Sequence, residues 1–119
     1  MSITLYGIAN CDTVRKARAW LDGQGVGYAF HDFKKAGVPQ DRLAGWSRAV
    51  GWDKLVNRQG TTWRKLDAAQ QQGVRDEASA RELMLAQPSV IKRPVVEWPD
   101  GTTTVGFDAQ AWQALAQRR

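Results

Sequence analysis

The stretch Ile3–Asp32, ITLYGIANCDTVRKARAWLDGQGVGYAFHD, decides the fold. Ile3-Thr4-Leu5-Tyr6 alternates and predicts a first strand. Gly7-Ile8-Ala9-Asn10 reads as a short loop. From about Asp12 to Asp22 the period changes. Val14, Ala17 and Leu21 fall on one helical face, and Gly23 and Gly25 end the helix. Tyr28-Ala29-Phe30-His31-Asp32 predicts a second strand. A strand, a crossover helix and a strand within ~30 residues form a βαβ unit, whose two strands lie parallel.

Strand signals return at the other end. Pro94-Val95-Val96-Glu97-Trp98 predicts a strand, Pro99-Asp100-Gly101-Thr102 a hairpin turn on its Asp-Gly pair, and Thr103-Thr104-Val105-Gly106 the return strand. Asp108 caps a last helix that buries Trp112 and Leu115. The middle, about residues 35–87, reads as helical and without strands. Pro39 opens a helix with Leu43, Trp46 and Val50 on one face and Gly51 past its end. Gly60-Thr61-Thr62 predicts a turn with a ready N-cap before Trp63-Arg64-Lys65-Leu66. Asp76 caps a further helix burying Ala80, Leu83 and Ala86 before Pro88 stops it. A βαβ half (about 1–34) followed by a ββα half (about 88–119) is the thioredoxin-like plan. It is an α/β fold with a four-stranded mixed sheet, helices on both faces, and an inserted helical subdomain. The 119 residues suffice for one such domain.

Composition narrows the class. Hydrophobic content is 43% and charged content 24%, the balance of a globular chain, and no apolar run approaches the ~20 residues of a membrane span. Met1–Tyr6 has no basic n-region or apolar h-region, so a cytoplasmic chain without a secretory signal is expected. One cysteine excludes an internal disulfide. Cys11 and His31 are the only strong soft ligands, too few for tetrahedral zinc, so no metal is expected. The net charge of +5 comes from basic residues scattered along the chain, without a basic run interleaved with aromatics. Direct nucleic-acid binding is therefore not expected. An anionic small-molecule partner, glutathione or an oxyanion, or an acidic protein surface fits better.

Cys11 carries the chemistry. It opens the first helix, where unpaired N–H groups and about half a positive charge favour a thiolate. Asn10, Asp12, Thr13 and Arg15, its sequence neighbours, are the candidate thiolate-stabilising residues. Arg15, at i+4, is expected to help lower the thiol pKa after the helix terminus, and Asp12 to oppose it. The alternative is an inert, buried thiol. Val14 stands where a Cys-x-x-Cys motif would place its second cysteine. An oxidised Cys11 therefore needs an external thiol for release, and glutathione is the common cytoplasmic one. Val90-Ile91-Lys92-Arg93-Pro94 ends a loop and opens a strand. There Pro94 is expected to be cis and Arg93 to project toward the Cys11 loop. Arg58 and Arg64 are further anion-binding candidates, Trp63 a stacking candidate, and His31 a structural histidine.

Three runs, Tyr6–Ala17, Arg58–Lys65 and Ile91–Pro94, resemble the arsenate reductase-related ArsC/Spx family, in particular its YffB-like branch. The resemblance implies a thioredoxin-like fold with an inserted helical region and, for that branch, a glutathione-dependent thiol reductase. In the family's arsenate reductases one cysteine attacks arsenate and three arginines hold the oxyanion. By position Cys11 corresponds to the cysteine, Arg58 to the first arginine and Arg93 to the second, while Phe107 falls near the third. The loop Ile8-Ala9-Asn10 also departs from the arsenate pattern His-Asn-Pro-Ala. Spx-type members bind RNA polymerase and often carry a Cys-x-x-Cys switch, which Val14 removes here. The resulting expectation is a glutathione-linked thiol–disulfide oxidoreductase. Cys11 is its nucleophile, and Arg93, Pro94, Arg58 and Arg64 bind substrate. An RNA polymerase-binding regulator is the second reading and an arsenate reductase the third.

Overall fold

A computed structural model describes residues 2–117 of the chain. In chain order its elements are β1 (Ile3–Gly7), α1 (Asp12–Gly23), β2 (Tyr28–Asp32), α2 (Phe33–Ala36), α3 (Gln40–Val50) and α4 (Trp52–Leu55). There follow α5 (Thr61–Lys65), α6 (Ala68–Gln72), α7 (Glu77–Ala86), a 3-10 turn (Pro88–Val90), β3 (Val95–Glu97), β4 (Thr103–Val105) and α8 (Ala109–Gln117). They form two compact units. One joins the residues up to Ala36 with those from Arg93 onward, and the other spans Gly37–Lys92.

The first unit holds one mixed sheet in the order β2-β1-β3-β4. β1 and β2 are parallel, with Ile3 opposite Tyr28 and Gly7 opposite Asp32. β1 and β3 are antiparallel, as are β3 and β4. One sheet face supplies Ile3, Leu5, Val96 and Trp98 to a core completed by Val14, Ala17 and Leu21 of α1 and Trp112, Leu115 and Ala116 of α8. Full burial of a side chain such as Leu21 contributes about 1.5–3 kcal/mol. Trp112 meets Trp98 and Phe107 edge-on, with centroids 5.0 and 4.9 Å away. Gly25, at φ +68°, ends α1. Its N–H donates to the Asp22 carbonyl (3.1 Å) and that of Val26 to the Leu21 carbonyl (3.1 Å), both bonds of a Schellman cap. The β3–β4 turn is the expected Asp-Gly turn. Gly101 takes φ +91°, and the Asp100 carboxylate accepts from the Thr102 N–H.

In the second unit α3, α4 and α7 pack on one another. α3 buries Leu43, Trp46 and Ser47, an i, i+3, i+4 set, while Val50 is only half-buried. α7 starts from a reciprocal capping box between Asp76 and Ser79. The helix buries Ala80 and Met84 rather than the anticipated Ala80, Leu83 and Ala86; Leu83 is half-buried and Ala86 exposed. With Ala80 inward, the inward residue one turn later is Met84. α5 begins at Thr61, two residues before the anticipated Trp63. Gly60 is its N-cap, and no side chain caps it. No strand lies between Gly37 and Lys92, as anticipated for residues 35–87; Val56 and Ile91 pair only in an isolated antiparallel bridge. Among the described residues no helix is long and apolar enough to cross a membrane.

Candidate functional site

β1 delivers the chain to Cys11, and antiparallel β3 delivers Arg93 to the same end of the sheet. Tyr6 pairs with Val95, so the next step of the register sets Gly7 opposite Pro94. Gly7 has no room for a side chain: a Cβ there would lie 2.8 Å from Val14 Cγ2. That close approach seats the first turn of α1 on the end of β1. Val14, fully buried, thereby becomes a packing residue at the position a second cysteine would occupy. The Arg93–Pro94 bond is cis, as expected, and the Pro94 carbonyl accepts from the Gly106 N–H (2.9 Å).

Cys11 is the N-cap of α1, in extended conformation at φ −141°, ψ 125°. Its thiol is half-buried. Partial burial pushes the thiol pKa up. Opposing this are the Val14 N–H, the Arg93 guanidinium acting by hydrogen bond and by charge, and the Thr13 N–H. The net effect holds Cys11 below its ordinary value. The sulfur does not complete a strict capping hydrogen bond. It faces the positive ends of unpaired first-turn N–H groups, and a thiolate gains more from these than a thiol does.

The structure gives Arg15 a different part from the one its spacing suggests. Its guanidinium donates to the Asn10 side chain (3.1 Å) and to the Asp12 carboxylate. Both Arg15 and Asp12 are exposed, with 56% and 83% of their side chains accessible. Two acceptors therefore draw Arg15 away, and the charged side chain that lowers Cys11 is Arg93, remote in sequence. Asn10 and Asp12 act on Arg15; of the residues flanking the cysteine, Thr13 and Val14 contribute through their backbone.

Arg58 and Arg64 belong to the insertion unit. Both are exposed, Arg64 on α5 and Arg58 in the α4–α5 connection. The Arg58 guanidinium lies over two indoles, 5.6 Å from the Trp52 centroid and 5.7 Å from that of Trp63. Trp63 thus stacks on an arginine of its own unit. Of the six tryptophans, Trp46, Trp98 and Trp112 are buried, whereas Trp20, Trp52 and Trp63 are partly exposed. His31 sits in an aromatic group, its ring 5.1 Å from Tyr6 and 6.0 Å from Phe33. Phe107 packs against the core beside Trp112 and Trp20, so its position serves the hydrophobic cluster.

A four-stranded mixed sheet with a single half-buried cysteine between the first strand and the helix of its βαβ unit defines a single-thiol protein of the thioredoxin-like class. The ArsC family model matches residues 6–115, and the chain belongs to the ArsC family. A solved YffB protein structure superposes with a TM-score of 0.90 at 52% identity, covering 97% of this chain and 99% of that one. An uncharacterized protein of Haemophilus influenzae is 39% identical over 112 residues, 94% of this chain and 96% of its own. The global transcriptional regulator Spx of Streptococcus mutans is 26% identical over 121 residues, 98% of this chain and 84% of its own.

Proposed function

We propose that the protein is a glutathione-dependent thiol–disulfide oxidoreductase using Cys11 as its only nucleophile. The observation that supports this reading most is the thiol itself, half-buried at the N-cap of α1 and held below its ordinary pKa by backbone N–H groups and Arg93. The Cys11 thiolate attacks the glutathionyl sulfur of a mixed disulfide. The new bond is Cys11–S–S–glutathione, and the substrate sulfur leaves as a thiolate that takes a proton from water. A glutathione thiolate then attacks the glutathionyl sulfur, regenerating the Cys11 thiolate and releasing glutathione disulfide. In sum the mixed disulfide and one glutathione become the free substrate thiol and glutathione disulfide. Val14 makes the external thiol obligatory. Arg93 meets a carboxylate of the tripeptide, and Pro94 shapes the adjoining backbone; Arg58 and Arg64, both exposed, are the anion-binding candidates of the insertion unit by itself. The chemistry suits a reducing, cytoplasmic setting and needs no metal.

The test is glutathione disulfide production coupled to glutathione reductase, with a glutathionylated peptide as substrate. Wild-type protein turns over and Cys11→Ser does not; equal rates would refute the reading. The similarity to a transcriptional regulator supports a second one, docking on RNA polymerase. Polymerase subunits co-purifying with both wild type and Cys11→Ser, without glutathione turnover, would favour it.

A further inference from the structure

In the insertion unit a hydrogen-bonded turn carries Arg58 between two indoles. The α4–α5 connection is tied down on several sides. The Asn57 N–H donates to the Val90 carbonyl (2.8 Å), and the Lys92 N–H donates to the Leu55 carbonyl (2.8 Å). Asn57 Oδ1 accepts from the Gln59 N–H (3.2 Å), and its carbonyl accepts from the Gly60 N–H (3.3 Å). A Cβ on Gly60 would sit 2.9 Å from Asn57 Nδ2, so the turn closes tightly. Trp63 is fixed in turn, its carbonyl accepting from Gln71 Nε2 (2.9 Å). The guanidinium of Arg58 emerges from this turn over the Trp52 and Trp63 rings, within the ~6 Å over which a cation is drawn to an indole face.

We propose that Trp52 and Trp63 are positioning residues for Arg58, holding its guanidinium by cation–π attraction so that its N–H donors are presented to a carboxylate or other oxyanion of a small ligand. The inference rests on the reading of Arg58 as an anion contact and adds the device that orients it. An exposed arginine loses side-chain entropy whenever it binds. Two indoles that restrict it beforehand reduce that loss without using its donors, because the attraction is to the charge and the ring faces offer no conventional acceptor. The surroundings select an anion. Between Trp52 and Lys65 the basic residues are Lys54, Arg58, Arg64 and Lys65, against Asp53 alone.

The test uses the full chain carrying Cys11→Ser, which cannot exchange disulfides, titrated with reduced glutathione and, separately, with inorganic phosphate. The indole N–H resonances of Trp52 and Trp63 are assigned through the Trp52→Phe and Trp63→Phe variants. Both resonances should move and saturate. Arg58→Ala should weaken binding about tenfold, as loss of a charge-assisted contact. Trp52→Ala or Trp63→Ala should weaken it about two- to fivefold, the size of one exposed cation–π contact. The Phe variants should recover part of that loss. Alanine variants that bind like the parent while Arg58→Ala does not would overturn the positioning role and leave the arginine contact standing. Unchanged binding in Arg58→Ala would overturn both. Phosphate binding as tightly as glutathione would mark a general oxyanion mount; preference for glutathione would mark a carboxylate mount.

Discussion

Replacing Arg93 by alanine should slow Cys11 more than replacing Arg15, although Arg15 is four residues from the thiol and Arg93 is far along the chain. Partial burial opposes the thiolate, and the contributions that reverse this are the Val14 and Thr13 N–H groups and Arg93, the last by both hydrogen bond and charge. Arg93→Ala removes both of its effects and leaves the helix terminus. A hydrogen bond to a charged group is worth roughly 1.5–3 kcal/mol when well shielded, and about 1 kcal/mol is reasonable at a half-exposed thiol. At neutral pH that corresponds to a thiolate population about fivefold smaller. The assay is the iodoacetamide alkylation rate at this single thiol, with urea unfolding of each variant to verify folding. Arg93→Ala should react about fivefold more slowly and Arg93→Lys should fall between it and wild type. Arg15→Ala should stay within about twofold, since its guanidinium is held by Asn10 and Asp12. Slowing by Arg15→Ala that equals or exceeds that of Arg93→Ala would refute this assignment.

A pH series of the same rate should show its inflection below the ~8.5 of a free cysteine, and an inflection at or above that value would return Cys11 to an inert thiol. The depressed folded pKa means that the unfolded chain binds more protons between the two pKa values. Stability should thus rise with pH across that window, flatten above the ordinary thiol value, and lose this component in Cys11→Ser. Gly7→Ala should destabilise the fold by about 1–3 kcal/mol, as its methyl drives into buried Val14; a urea midpoint equal to wild type would contradict the close packing. Leu21→Ala should cost about 2–5 kcal/mol by the same assay. Arsenate reduction should be weak or absent, because Phe107 is committed to the Trp112 cluster and offers no charge; brisk glutathione-dependent arsenate turnover would disprove this.

The fold was legible wherever one period ran long enough. Val14, Ala17 and Leu21 carry α1, and alternation with the Asp-Gly turn carries the hairpin, because both patterns arise from local geometry. The short helices Phe33–Ala36, Trp52–Leu55 and Ala68–Gln72 span barely a turn, too little for a period, and they exist through their surroundings. Cys11 was legible by its place between strand and helix, and the cis bond by its strand-opening proline. The direction of Arg15 was not. Spacing sets which residues are near, whereas Asn10 and Asp12 compete for the guanidinium in three dimensions. Arg93 reaches the thiol through sheet topology, which a reader of residues 90–94 could anticipate only after ordering the strands. The pairing of Arg58 with Trp52 and Trp63 needs a tertiary turn and left no signal beyond the residues themselves.

Intact mass spectrometry of the protein after exposure to glutathione disulfide and then to reduced glutathione tests the role of Cys11 as the exchanging thiol. One glutathione adduct, mapped to Cys11, should form faster than on an unfolded control and should be removed by reduced glutathione to restore the free thiol. A folded protein whose Cys11 takes up no glutathione, or takes it up no faster than the unfolded control, would contradict that role.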